Sequence, residues 1–198
     1  NQADANYGVS ASYAGDVNGD GYSDVIVGAH QYDNGQTDEG AAWVYHGAST
    51  GLSTSSSWQA ESDQASAFFG QKSGYAGDVN GDGYSDVFVS AAYYDNDQAD
   101  EGRVYIYHGS STGLNTSAAI ALEKAQADAR FGNGASTAGD VNGDGYDDFL
   151  VGAFLHDRGQ TDEGMLYVFL GSSSGLSLSH DRNYESDQAS AAYGFSCS

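Results

Sequence analysis

The stretch "AGDVNGDGYSDV" spans residues 14–25 and sets Asp16, Asn18, Asp20 and Asp24 within nine positions, with Gly19 and Gly21 among them. The same words return from Ala76, and from Ala138 as "AGDVNGDGYDDF". The leading aspartate therefore falls at 16, 78 and 140, a step of 62 residues. A fixed period of this order marks a repeat array, either a solenoid or a propeller. A second phrase keeps the same step: Gln2, Gln64, Gln126 and Gln188 each open Gln-Ala-x-Ala-x-aromatic-Gly, which ends in Tyr7-Gly8, Phe69-Gly70, Phe131-Gly132 and Tyr193-Gly194. Three repeats thus occupy residues 1–62, 63–124 and 125–186, and residues 187–198 either start a fourth or are exchanged with a neighbour.

Within each repeat the apolar pattern predicts four strands separated by Gly, Ser, Asn and Asp. The first runs from the aromatic-Gly pair toward the aspartate loop, as in Tyr7 to Ala14, and its small side chains suit a crowded place. After the loop come Val25-Ile26-Val27, Val87-Phe88-Val89 and Phe149-Leu150-Val151, apolar without alternation, which predicts strands covered on both faces. The third strand holds Trp43-Val44-Tyr45 and its equivalents Tyr105-Ile106-Tyr107 and Tyr167-Val168-Phe169, aromatic and β-branched as a sheet prefers. A weaker fourth lies near Trp58 to Glu61, Ile120 to Glu123 and Asn183 to Glu185. The most helix-like stretch, Ala118 to Ala129, fills a fourth-strand slot and reads as strand and linker. The expected fold is all-β: blades of a β-propeller, three four-stranded antiparallel repeats plus the first strand of a fourth. Propellers close with about four to eight blades, so three call for further blades of a longer chain, or for self-association through the terminal strands.

The chain has 198 residues, 39% of them apolar, enough for a substantial core. Six basic against 28 acidic residues give a net charge of -22, which disfavours nucleic acid and anionic membrane and attracts cations. Cys197 is the only cysteine, so no internal disulfide and no Cys/His zinc site is expected, and it reads as a small buried apolar group. No apolar run is long enough for membrane insertion and no export signal opens the chain, as in a mature or excised piece. Asn115-Thr116-Ser117 matches an N-glycosylation acceptor, a short and unspecific pattern.

Carboxylates about 4 Å apart repel by roughly 4 kcal/mol per pair at an effective dielectric of ~20. A loop that gathers three of them opens unless a cation compensates, and oxygen-only donors select calcium or magnesium. Loop flexibility, carboxylate count and a carbonyl donor favour calcium, three Ca2+ per chain. The expected ligands are the side chains of Asp16, Asn18, Asp20 and Asp24, of Asp78, Asn80, Asp82 and Asp86, and of Asp140, Asn142, Asp144 and Asp148. The backbone oxygens of Tyr22, Tyr84 and Tyr146 complete the three sets. An EF-hand is excluded because its twelfth position needs a bidentate Glu, where Val27, Val89 and Val151 stand. The bland alternative is that Asp and Asn build tight Asx-turns in a hairpin; three copies with every donor position kept favour the cation.

The aromatic-Gly pair, the Asp-x-Asn-x-Asp-Gly-x-x-Asp loop and the strand end after it resemble the FG-GAP repeats of integrin α-subunit propellers, and more closely bacterial secreted proteins with integrin-like repeats. The resemblance covers nearly the whole chain. It implies a β-propeller with calcium in the hairpin between the first two strands of each blade, and an extracellular or cell-surface role in adhesion or assembly. The chain departs from the pattern at Gly28-Ala29-His30, Ser90-Ala91-Ala92 and Gly152-Ala153-Phe154, and it has no proline.

A second acidic loop recurs as "DNGQTDEG" from Asp33, "DNDQADEG" from Asp95 and "DRGQTDEG" from Asp157. It reads as a solvated turn that hydrogen-bonds its neighbour, with weaker cation binding or partner contact as the functional alternative. His46 and His108 repeat in step and read as packing residues, and His30, His156 and His180 stand singly. Neither a nucleophile beside a His nor a free carboxylate pair is evident, so no enzyme is expected; the rival is a glycan-acting enzyme. The leading expectation is a non-catalytic calcium-binding protein of surface structure, a filament or layer. The alternative is an adhesin module of a larger integrin-like propeller, binding a protein or glycan ligand through Tyr32, Tyr93 and Tyr94, whose bland reading is packing against the next blade.

Overall fold

The structure, a computed structural model, describes residues 2–197. Twelve strands follow one another in three antiparallel sheets and no helix occurs among the described residues. The first sheet is β1 (Ser10–Gly15), β2 (Asp24–Ala29), β3 (Ala41–Tyr45) and β4 (Trp58–Glu61). The second is β5 (Ser73–Gly77), β6 (Asp86–Ala91), β7 (Arg103–Tyr107) and β8 (Ile120–Glu123). The third is β9 (Phe131–Gly139), β10 (Asp148–Ala153), β11 (Met165–Phe169) and β12 (Arg182–Glu185). Each is a simple meander in chain order. Such meanders, standing side by side, are propeller blades.

The first strand of blades 1 and 2 starts later than the aromatic-Gly pair predicts, at Ser10 and Ser73; only β9 begins at its aromatic, Phe131. The reason lies in the preceding phrase. In blades 1 and 2 its backbone turns through left-handed residues, Asn6 at φ 53° and Phe68 at φ 55°, with Val9 N and Gln71 N closing the turns on their carbonyls, and the second turn docks on the blade before it. β5 lies between β1 and β9, and the hydroxyls of Ser10 and Ser12 meet Ser73 across that line, Ser12 Oγ donating to the Ser73 carbonyl at 2.8 Å.

The core sits between blades, where the sheets face one another. Ile26, Val44, Trp58 and Phe69 pack with Val87 and Val89 in the first seam. Ile106, Leu122 and Phe131 pack with Phe149, Val151 and Phe169 in the second. All six residues of β6 are buried, whereas Val25 and Val27 in β2 and Leu150 in β10 are only half-buried. Among the described residues the second strand of the middle blade is the fully covered one, with a neighbouring blade on each face.

Candidate functional site

Each aspartate loop joins the first two strands of its blade and is wound tightly on its own amides. In the first, Asp20 N donates to Asp16 Oδ1 at 3.1 Å and to Asn18 Oδ1 at 3.0 Å. Gly21 N donates to Asp16 Oδ2 at 2.7 Å, Tyr22 N to Asp20 Oδ1 at 2.9 Å, and Asn18 Nδ2 to Asp20 Oδ2 at 3.0 Å. The pattern repeats bond for bond with Asp78, Asn80 and Asp82 and with Asp140, Asn142 and Asp144. Positive φ at Gly21, Gly83 and Gly145, near 90°, provides the reversal that an L side chain rarely adopts.

The ninth position behaves differently. Asp24 is fully buried and its two oxygens accept from Val17 N and Gly47 N, both at 2.9 Å, tying the loop to the turn after β3. Asp86 holds Val79 N and Gly109 N, and Asp148 holds Val141 N and Gly171 N, in the same way. Burial pushes the Asp86 carboxyl up to about 7, and the charges of Asp78 and Asp82 push it further in that direction, against the pull of the two amides. Burial raises Asp24 as well, with Asp16 adding to it. The exposed Asp140 is lowered instead, first by the amide of Gly145 and then by those of Gly143 and Asp144.

Three of the predicted side-chain donors thus bond to amides of their own loop, whereas Asp24, Asp86 and Asp148 bond to the amides that fasten that loop to the turn after the third strand. Among the described residues no group of three His, Cys, Asp or Glu side chains forms a ready metal cage. The donor chemistry nonetheless fits a hard cation: every predicted ligand atom is oxygen, and a carboxylate oxygen that accepts one N–H keeps a second lone pair.

The loops also hold the blades together. Asp16 O accepts from Ser85 N at 3.1 Å, Asp16 N donates to Ser85 Oγ at 3.0 Å, and Val17 O accepts from Ser110 N at 3.1 Å. One step on, Asp78 O accepts from Asp147 N, Asp78 N donates to Asp147 Oδ2, and Val79 O accepts from Ser172 N. Val17 and Val79 are fully buried in these contacts. A Cβ on Gly19 would lie 2.6 Å from the ring of Tyr84, and one on Gly81 2.6 Å from that of Tyr146, so glycine is required where the next blade's tyrosine crosses the loop.

The second acidic loop is a docking ledge. Phe69 N, Phe131 N and Tyr193 N each donate to the carbonyl of the preceding blade's Glu39, Glu101 or Glu163, at 3.0, 2.9 and 3.0 Å. The glutamines of the same phrases reach the other way. Gln64 donates to Asp95 O and accepts from Asp95 N, both at 2.7 Å, and Gln2 and Gln126 clasp Asp33 and Asp157 alike. Sequence reasoning missed that Glu39, Glu101 and Glu163 are buried, with one oxygen of each accepting from loop amides. The signal was present in an Asp-Glu-Gly that never varies ahead of an apolar strand.

All three tyrosines read as a ligand surface are half-buried; Tyr93 and Tyr94 are packed, whereas Tyr32 lines an open hollow with Tyr7, Trp43 and Tyr45. Tyr32 stands edge-on to Trp43, Tyr93 lies under Arg130 and against Phe68, and Tyr94 lies under Arg103. His46 Nδ1 lies 3.3 Å from Asn18 Nδ2, and burial lowers the His108 imidazole below its usual range. Cys197 is half-buried beside Gly134, and burial raises its thiol.

A family profile described as the FG-GAP repeat matches residues 8–45, and one described as an FG-GAP-like repeat matches residues 78–151. The chain is 35% identical over 153 residues, 75% of its length, to integrin alpha-4 of Xenopus laevis. It is 36% identical over 148 residues, 71% of its length, to integrin alpha-PS3 of Drosophila melanogaster. It spans only 14% and 13% of those two relatives. Among solved structures, the exotype rhamnogalacturonan lyase YesX superposes on 93% of the chain and 34% of its own, with a TM-score of 0.55 at 16% identity, a likeness of fold alone.

Proposed function

Since the chain belongs to the FG-GAP, integrin-like repeat proteins, we propose that it is a non-catalytic, calcium-binding propeller module of the cell exterior, acting in surface structure through self-association. The observation that carries this reading is the place of the aspartate loops. The same nine residues that gather carboxylates also present, through Asp16, Val17, Asp78 and Val79, the backbone groups that hold the next blade. A divalent cation taken up by Asp16, Asn18 and Asp20 and by their equivalents in the other two loops would supply the positive charge these carboxylates lack. Asp24, Asp86 and Asp148 would meanwhile keep the loop fastened to its own blade.

Extracellular modules bind calcium at roughly 10⁻⁴ to 10⁻³ M, where the ion is plentiful, which supports an exterior location. A non-catalytic role is supported by the use of the repeated carboxylates on backbone amides. Isothermal titration with calcium is the direct test: about three ions per chain is the expected result, and no binding in the millimolar range would reject the cation reading. Turnover of polysaccharide substrates by the purified chain would reject the non-catalytic one.

A further inference from the structure

The two seams differ at one place. In the first, Arg103 lies over Tyr94 and Tyr105 and is paired with Glu123. In the second, the equivalent of Tyr105 is Tyr167, and around its ring stand Lys124, His156 and His180, where the preceding repeat has Ser62, Tyr94 and Ala118. Lys124 Nζ lies 5.4 Å from the centre of that ring, and the imidazoles of His156 and His180 lie 6.0 and 5.1 Å from it. Tyr167 is buried, and among the described residues Lys124 forms no ion pair.

The partners of both histidines suit the neutral ring. Asn183 Oδ1 accepts from Arg158 Nη1 at 3.4 Å, so the amide turns its Nδ2 to His180 Nε2, also at 3.4 Å, and that nitrogen is an acceptor. A proton there would set donor against donor. His156 Nδ1 is buried without a hydrogen-bond partner. An imidazolium carries N–H on both nitrogens and would leave a buried donor unsatisfied at that atom. Burial holds His156 below its usual range, with Arg158 and Lys124 pushing the same way and Asp157 and Glu163 opposing. Burial lowers His180 too, helped by Lys124 and Arg158 and opposed by Asp181. Of the remaining charges, Glu185 is paired with Arg158 at 3.6 Å, and Asp181 with Arg182 at 3.3 Å.

We propose that this cluster is an acid-sensitive joint, in which protonation of His156 and His180 beside Lys124 loosens the second seam and frees blade 3 from blade 2. Three cations would then surround one buried ring, where water screens them least. The unfolded chain takes up these protons first as pH falls, because the folded imidazoles resist them. The seam is therefore at full strength above the ordinary imidazole value of about 6.5 and weakens below it. The first seam has a buried imidazole of its own, His30 against Phe68, but the charge that acts on it is the carboxylate of Asp38, not a cation.

Hydrogen–deuterium exchange of the full chain, corrected for the intrinsic rate at each pH, reads the two seams separately. Asp128 N and Phe131 N donate to Ala99 and Glu101 across the second seam, and Ser66 N and Phe69 N to Thr37 and Glu39 across the first. Protection at Asp128 and Phe131 is expected to fall at least about tenfold between pH 7 and pH 5, and by more than at Ser66 and Phe69. The double variant His156→Tyr, His180→Ala carries the residues of the preceding repeat and is expected to keep most of that protection. His156→Gln with His180→Gln, neutral at both pH values, makes the same comparison where the larger tyrosine disturbs the fold. A wild type whose second seam stays protected at pH 5, or a loss that persists in the folded histidine variants, overturns the joint.

Discussion

At the scale of single residues, the buried carboxylates carry the tightest constraints. Asp86 is completely buried and is the acceptor for both Val79 N and Gly109 N, so Asp86→Ala leaves two buried donors without partners. At about 1–3 kcal/mol each, the expected loss is about 2–6 kcal/mol in chemical denaturation without calcium. Glu101 adds a pH dependence. Its carboxyl is raised by burial, and Glu123 and Asp97 push the same way against the Asp97 amide and Arg103. The folded chain therefore holds this proton where the unfolded chain has released it. The stabilisation is complete below the ordinary glutamate value and is lost as pH rises through the raised one. Glu101→Gln should flatten the gain in stability as pH falls toward the ordinary glutamate value, measured by denaturant unfolding. An unchanged slope would place that gain elsewhere.

At the scale of elements, the loops and close approaches divide into those that hold blades and those that only cover them. Asp82 accepts from Tyr84 N and Asn80 Nδ2 within a seam loop, whereas the side chain of Asp97 is exposed. Asp82→Ala is expected to cost about 1–3 kcal/mol and Asp97→Ala within about 0.5 kcal/mol of nothing, and equal effects in thermal melts would erase the distinction. Gly28 in β2 passes so close to the next phrase that an added Cβ would lie 2.0 Å from the Gly70 carbonyl. Gly28→Ala is expected to destabilise by about 1–3 kcal/mol, seen as a lower denaturation midpoint. The strands themselves were legible from aromatic and β-branched runs such as Tyr105-Ile106-Tyr107. The start of β5 was not, because the turn at Phe68 is held by bonds to Asp38 and Glu39, which belong to another repeat.

For the whole molecule, a net charge of -22 opposes compactness, and the seams must resist it without any disulfide. Calcium bound at roughly 10⁻⁴ to 10⁻³ M would add about 1.4–2.7 kcal/mol per occupied loop at ~10 mM ion. The melting temperature is therefore expected to rise with calcium well beyond its rise with sodium chloride at matched ionic strength. A shift equal in both salts would assign the effect to screening alone.

The sequence by itself determined the repeat, the strand count and the loop that gathers oxygen donors, because these depend on period, side-chain class and local turn chemistry. Only the tertiary structure decided that Asp24, Asp86 and Asp148 clamp amides, that Glu39, Glu101 and Glu163 lie in the interior, and that Tyr93 and Tyr94 pack under arginines. Those outcomes depend on which groups of one repeat meet those of the next. A 62-residue period fixes what each blade carries, whereas burial and partnership arise only when the blades are set side by side.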